Sequence, residues 1–280
     1  NINRKNELDP ERVRKRIIKV VKSENFEIDW MSIYKFKCST LKQLVFDNVI
    51  FAGDSAHVVS PFGARGGNGG IHDVDNLGWR LARVLKGQSR SNILQFYNSE
   101  RIEAAKENLQ NSSRATNFMT PKNKMATAFR NEVLDLAKTF NFARRLINSG
   151  RLSTPYMLPY SPLKNVDYKE NSFLGKTVID FPLVDCNGIK TQLIDQLSNG
   201  FNLLSFSEDV LPQIEGVNVI QIKGNAVGSS TYRDVSGLGK KRYYKGNHYL
   251  LRPDSYIIGV FEEANKNIIL KYIDEQIETK

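Results

Sequence analysis

The stretch that decides the fold reads Gly53-Asp54-Ser55-Ala56-His57-Val58-Val59-Ser60-Pro61-Phe62-Gly63-Ala64-Arg65-Gly66-Gly67-Asn68-Gly69-Gly70-Ile71. It follows an apolar run, Val49-Ile50-Phe51-Ala52, which reads as a buried strand ending at the acidic Asp54. Downstream, Ile71, Val74, Leu77, Gly78, Leu81 and Leu85 recur at helical spacing and stop at Gly87, so a helix is expected from near Ile71. Between strand and helix lies a glycine-rich loop. Glycines without side chains let backbone N–H groups approach a ligand closely. A helix start adds about half a positive charge. An Asp carboxylate accepts hydrogen bonds from sugar-like hydroxyls. The arrangement suits a ligand with hydroxyls at one end and a flat, electron-rich group at the other.

Working outward toward the N-terminus, Asp9-Pro10-Glu11 opens a helix, with Asp9 as N-cap and Val13, Ile17, Val20 and Val21 as its apolar stripe. Strict alternation follows, with Trp30, Ser32, Tyr34, Phe36 and Cys38 on one face, and reads as a strand with an aromatic side. Toward the C-terminus, Ser91 to Leu109 and Lys122 to Asn148 read as helices. Thr154-Pro155, Leu158-Pro159 and Ser161-Pro162 cannot lie inside a helix or a central strand. Past them the texture changes to β-runs at Thr177–Ile179, Phe201–Phe206, Val217–Ile222, Tyr249–Leu251 and Tyr256–Phe261. Helical pieces are expected near Leu193–Leu197 and Lys266–Ile277, and Arg252-Pro253-Asp254-Ser255 reads as a turn.

The positions Gly53-Asp54, Ala56-His57, Pro61, Gly63, Gly66, Asn68, Gly69, Asp73 and Asn76-Leu77 resemble the second cofactor motif of the single-component FAD-dependent aromatic hydroxylases. Tyr97-x-x-Glu100-Arg101 resembles a further family segment, read as structural. Tyr160-Ser161-Pro162-Leu163 resembles the joint before an appended domain. Asp185-x-x-Gly188, Phe201-x-Leu203-Leu204 and Leu251-Arg252-Pro253-Asp254 resemble the thioredoxin-like domain of phenol-hydroxylase-type members. The resemblance implies an α/β (α+β) chain: the C-terminal portion of an FAD-dependent hydroxylase fold over 1–154, a linker over 155–172, and a thioredoxin-like α/β domain over 173–280.

It also implies the chemistry. NADPH or NADH reduces the flavin, which then uses dioxygen to hydroxylate an aromatic, phenolic substrate. The flavin carries the reaction, so no catalytic side chain and no metal is expected. The cofactor-binding set implied is Gly53, Asp54, Pro61, Gly63, Gly66, Gly67, Asn68 and Gly69, with Asp54 on the ribityl hydroxyls and the amides of Gly67 and Asn68 toward the pyrimidine carbonyl. Trp30, Tyr34 and Phe62 are the substrate-side candidates, although aromatic packing of a sheet would give the same alternation. His57 reads as a brace of the loop more than as a catalyst. Arg65 is left between ligand and solvent, and Asp73 and Asp75 read as simple helix-dipole partners.

No G-x-G-x-x-G follows a strand near the start, so the part that holds the ADP half of FAD is expected on another polypeptide or outside this chain. Gly175-Lys176-Thr177 lacks the leading glycine of a phosphate loop, because Glu170 stands there. Gly237-Leu238-Gly239 is followed by Lys240-Lys241-Arg242 with no third glycine. A remnant or binding module that does not hold FAD alone is therefore the alternative to an enzyme, and flavin absorbance separates the two.

The 280 residues, 40% hydrophobic and 25% charged, suit an ordinary globular protein with one large or two modest domains. A net charge of +10 raises nucleic acid as a partner. The cations are scattered among acids except at Arg12–Lys22 and Lys240–Arg242, so nucleic acid is not expected and a polyanionic flavin is compatible. No membrane span and no signal peptide is read, and with two cysteines, Cys38 and Cys186, a cytoplasmic location is the expectation. Neither cysteine belongs to a C-x-x-C pair, so the redox thiols of thioredoxin are not there. Asn111-Ser112-Ser113 matches a glycosylation acceptor, a pattern common by chance. A homodimer is left open, as are the aromatic substrate and the choice of NADH or NADPH.

Overall fold

The computed structural model describes residues 3–147, 154–158, 173–244 and 246–277. Much of the 155–172 linker expectation, including Pro159, Tyr160, Ser161 and Pro162, lies outside them. By contacts the chain divides into Asn1–Lys37 and Cys38–Lys280.

The first unit holds the helices α1 (Arg4–Glu7) and α2 (Pro10–Val21). Asp9 caps α2 by accepting the Arg12 N–H at 3.0 Å, as its position before Pro10 implies. The expected apolar stripe of α2 does not form a core: Val13 and Ile17 are half-buried, whereas Val20 and Val21 are exposed. The run from Asp29 to Lys37 is irregular and not the strand that its alternation predicts. Alternation supplies two faces, but a strand exists only where a neighbouring backbone takes its N–H and C=O groups.

The second unit opens with four two-residue strands, β1 (Ser39–Thr40), β2 (Val45–Phe46), β3 (Val49–Ile50) and β4 (His57–Val58). β1 pairs antiparallel with β4, and β2 with β3. The expected buried strand Val49–Ala52 is thus only a hairpin edge, with Val49 55% exposed. Four helices carry the middle of the chain: α3 (Arg65–Leu85), α4 (Leu94–Met119) and the pair α5 (Lys124–Thr139) with α6 (Asn141–Ile147). The single helix read over Lys122–Asn148 is interrupted at Phe140, whose backbone is extended. Neither glycine nor proline marks that break.

The C-terminal part begins with the hairpin β5 (Pro182–Val184) and β6 (Lys190–Gln192). A five-stranded sheet follows, built from β7 (Phe201–Ser205), β8 (Val217–Ile222), β9 (Thr231–Tyr232), β10 (His248–Leu251) and β11 (Ile257–Phe261). Its order is β11-β10-β7-β8-β9. β7, β8 and β9 run parallel, and β10 and β11 antiparallel to their neighbours. Short helix α7 (Leu238–Arg242) precedes β10, and α8 (Lys266–Ile277) follows β11. Central β7 is buried on both faces, as its unbroken Phe201-Asn202-Leu203-Leu204 run allows. One face packs Leu204, Ile220, Tyr249 and Leu251 on Phe181, Phe206 and Tyr243, while the other packs Phe201, Leu203, Leu250 and Ile258 on Ile269, Tyr272 and Ile273 of α8. Thr177–Ile179 makes only an isolated bridge, Thr177 to Tyr256.

Candidate functional site

Residues Gly53–Ser55 form a single 3-10 turn after β3. Gly53 has φ 60°, a left-handed value that glycine adopts without strain. Asp54 is exposed at the head of this turn. Behind it, Asp73 of α3 is 0% exposed and holds three groups. Its Oδ2 accepts the Gly53 N–H at 2.8 Å and meets His57 Nε2 at 2.6 Å, and its Oδ1 accepts Arg101 Nε at 2.6 Å. Burial pushes the Asp73 carboxyl up, but His57 and Arg101 outweigh it and leave the pKa lowered, so a carboxylate is kept. His57 is 2% exposed, bonded inward, and acts as a brace.

The glycines nearby serve this packing. A Cβ at Gly69 would stand 3.1 Å from His57 Cε1, and one at Gly70 would stand 3.4 Å from the Gly53 Cα. The Asp54 turn therefore sits directly on the first turns of α3.

The loop between β4 and α3 is shorter than the sequence suggests. α3 begins at Arg65, not near Ile71, so Gly66, Gly67, Gly69 and Gly70 are helical residues. Gly63 and Ala64 turn the chain through left-handed conformations, φ 95° and 51°. α4 ties the loop down: Ser112 Oγ donates to the Ser60 carbonyl at 3.1 Å, and Thr116 Oγ1 to Ser60 Oγ at 2.8 Å. Ser112 is buried inside α4, so the Asn111-Ser112-Ser113 pattern lies within a helix. The Ala64 N–H bonds the Pro61 carbonyl, and Asn68 Nδ2 donates to the Ala64 carbonyl at 2.8 Å. Helix geometry leaves the N–H groups of Arg65, Gly66 and Gly67 without carbonyls of their own helix. A side chain at Gly67 would meet nothing within 4 Å, so open space lies over this end of the helix. Arg65 is 7% exposed, with Nη1 donating to Asn108 Oδ1 of α4 at 2.6 Å.

A second polar cluster continues down α3. Asn76 and Arg80 face Glu100 of α4 and the turn Arg252-Pro253-Asp254. Glu100 takes both arms of Arg252, at 2.7 and 3.0 Å, and the guanidinium of Arg80 at 3.1 Å. Burial pushes Glu100 up, yet Arg252 and Arg80 overcome it and lower the pKa to about 2.

The expected set thus lies together from Gly53 to Gly69, with Asp54 exposed and Phe62 half-buried in the loop. Trp30 and Tyr34 belong to the first unit, where they are 78% and 76% exposed and outside any strand. Sequence reasoning placed Asp73 in the motif but took it for a dipole partner, placed Arg101 in a segment read as structural, and did not single out Asn108. The signal was present: Asp73, Asn76 and Arg80 recur at helical spacing on the face opposite the apolar one. Among the described residues no group of His, Cys, Asp and Glu could hold a metal. Among them too, no helix is long and apolar enough to cross a membrane.

Residues 2–112 match the family described as FAD binding domain. Over 199 residues the chain is 31% identical to 3-(3-hydroxy-phenyl)propionate/3-hydroxycinnamic acid hydroxylase of Escherichia coli (strain K12), covering 71% of this chain and 36% of that enzyme. It thus spans about a third of the length of this relative. Among solved structures, the flavin-dependent monooxygenase PieE, in complex with FAD and substrate, superposes with a TM-score of 0.71 at 15% identity, covering 99% of this chain and 55% of that one. Aklavinone-11 hydroxylase, in a ternary complex with FAD and aklavinone, gives 0.69 at 16% identity, covering 98% and 52%. The fold is therefore that of about half of these hydroxylases.

Proposed function

As the chain belongs to the FAD-dependent aromatic hydroxylases, we propose that it supplies the ribityl- and ring-side half of an FAD site in an enzyme that hydroxylates a phenolic substrate with NAD(P)H and dioxygen. The observation that carries this reading is the exposed Asp54 on a turn seated directly on the start of α3, where the first amides have no intrahelical partners and the Cβ position of Gly67 is open. Donor and acceptor chemistry both fit a flavin. Asp54 accepts from ribityl hydroxyls. The amides of Gly66 and Gly67, with the helix end behind them, favour negative charge on a carbonyl placed there. The missing side chain of Gly67 leaves room for a flat ring.

When bound, the flavin supplies the electron and oxygen transfer. The chain's own residues bind and orient. Asp54 holds the polyol chain. Pro61, Phe62 and Gly63 form the wall of the loop, and Ser112 and Thr116 fix that wall to α4. Asp73 holds the Gly53 N–H and so sets the direction of Asp54. Phe62 is the substrate-side candidate of this loop, and Trp30 and Tyr34 are the substrate-side candidates that the resemblance names in the first unit. The domain reading belongs to the same proposal: hydroxylase portion over 1–154, joint over 155–172, thioredoxin-like part over 173–280. The order of the C-terminal sheet, three parallel strands continued by antiparallel β10 and β11 and a final helix, supports the last. A polypeptide carrying a dinucleotide-binding fold is the partner this reading calls for.

FAD titrated into the isotope-labelled chain tests the assignment, with amide shifts as readout. Saturable shifts are expected at Gly53, Gly66 and Gly67. Asp54→Ala removes one charge-assisted hydrogen bond and should weaken the apparent affinity about 10- to 100-fold. Shifts confined to other residues, or an Asp54→Ala titration identical to wild type, would sink it.

A further inference from the structure

Arg252 closes β10 and opens the turn to β11, and its side chain, only 1% exposed, reaches Glu100 of α4. Its Nη1 and Nη2 hold the two oxygens of Glu100 in α4 at 2.7 and 3.0 Å. Its Nε and Nη2 hold the two oxygens of Asp254 at 2.8 and 2.7 Å. Asn76 Nδ2 of α3 donates to both Glu100, at 2.8 Å, and Asp254, at 3.0 Å. Arg80 Nη1 donates to the Asn76 carbonyl and to Asn76 Oδ1, each at 2.7 Å, and its Nη2 reaches Glu100. Two guanidiniums thus balance two carboxylates around one amide side chain of α3. The Arg80 guanidinium lies 4.5 Å from the Trp79 ring centroid, and Trp79 meets Phe201 of β7 edge-on at 6.0 Å.

The position of this clamp matters because of what α3 does at its other end. Four of the first six residues of α3 are glycine, which makes its opening turns intrinsically weak. A helix held at Asn76 and Arg80 is fixed in rotation as well as in place. Asp73, one turn nearer the start, keeps that setting and passes it to Gly53. Gly67 lies about 9 Å beyond Asp73 along the axis.

We infer that Arg252, with Asp254, is a positioning residue for the cofactor segment. Through Glu100 and Asn76 the C-terminal sheet sets the rotation of α3, and with it the direction of the Gly66 and Gly67 amides and the hold of Asp73 on Gly53. This rests on the cofactor reading given above, but half of its test does not depend on flavin.

The test uses the whole chain in three forms. The double variant Glu100→Gln/Arg252→Met removes one charge of each sign, leaves Arg80 balanced by Asp254, and keeps side-chain volume. Replacing a buried pair in this way often leaves folding intact. Arg252→Lys keeps the charge without the fork. Leu250→Ala weakens the sheet core without touching the clamp. Amide exchange at Gly53 and Gly70 is read relative to Ile220 in β8, on the opposite face of the sheet from Leu250, and FAD-induced shifts are read at Gly66 and Gly67. The double variant and Arg252→Lys should each raise relative exchange at Gly53 and Gly70 at least tenfold and weaken the FAD response by a similar factor. Leu250→Ala should change neither ratio, whatever its melting temperature. Clamp variants that fold with unchanged relative exchange would overturn the inference, as would Leu250→Ala giving the same local increase. If the exchange changes but neither wild type nor Asp54→Ala shows any FAD response, it is the cofactor reading that fails.

Discussion

Asp73 lies at the centre of the site at the scale of single residues, and its three bonds explain why its neighbours cannot vary freely. A carboxylate taken out of water must find charge and hydrogen bonds to stay ionised. Arg101 supplies the charge, and Gly53 and His57 supply the donors. His57 then needs the space that only glycine leaves at position 69. Gly67 differs, because it faces nothing. Alanine there should strain no contact, and helix propensity predicts a gain of up to about 1 kcal/mol. Gly67→Ala should therefore melt no lower than wild type while its FAD-induced shifts weaken or vanish. A variant that loses stability and keeps the FAD response would mean that Gly67 serves the fold and not a ligand.

At the scale of elements, α3 and α4 meet through a polar seam. The apolar set that reads as the inward face of α3 is largely outside: Ile71, Val74 and Leu85 are 69%, 63% and 78% exposed. The buried set is Arg65, Gly69, Asp73, Asn76 and Arg80. Hydrophobic periodicity finds helices because cores are usually apolar, and it located α3 here while assigning the wrong face. The right face could not be told from the local sequence, since Asn76 and its partner Asp254 are 178 residues apart. The motif from Gly53 to Gly69 was legible because its residues are contiguous. The long apolar strands β7, β8, β10 and β11 were legible for the same reason, whereas β5, β6 and β9 are too short to carry a period. The seam also makes stability depend on acid. The Glu100 pKa falls from the ordinary 4.5 to about 2 on folding. Its contribution is therefore complete above pH 4.5 and is lost as the pH falls toward about 2, on the order of 3 kcal/mol across that window. Asp73, also lowered, adds in the same direction. Urea unfolding as a function of pH should show wild type losing stability on acidification, with a shallower slope for Glu100→Gln. Equal slopes would mean that Glu100 is not held by its two arginines.

At the scale of the molecule, the C-terminal sheet and the helices share one contact unit, and the seam joins them. What the chain offers a flavin is nevertheless one-sided. Family resemblance divides FAD recognition between a dinucleotide fold, which grips adenosine and pyrophosphate, and the Gly53-to-Gly69 segment, which grips ribityl and ring. This sequence has no G-x-G-x-x-G between a strand and a helix, and its glycine-rich segment is already committed to α3. The remaining contacts are one exposed carboxylate and a few helix-end amides, each charge-assisted bond worth about 1.5–3 kcal/mol at best. Against them stands the loss of translational and rotational freedom on association, about 4–15 kcal/mol. Ordering of the ligand opposes binding further. Because the structure is already braced by Asp73, Ser112 and Thr116, the balance should be no more favourable than about −4 kcal/mol, which corresponds to a millimolar or weaker dissociation constant. The purified 280-residue chain should thus be colourless, oxidise no NAD(P)H, and still give FAD-dependent shifts at high ligand concentration. Joined to a polypeptide that carries the dinucleotide fold, it should retain flavin through gel filtration, and Asp54→Ala should release it. Stoichiometric yellow flavin in the chain alone would refute the division of the site between two surfaces. Flavin retained equally by the joined wild type and Asp54→Ala would refute the place given to Asp54.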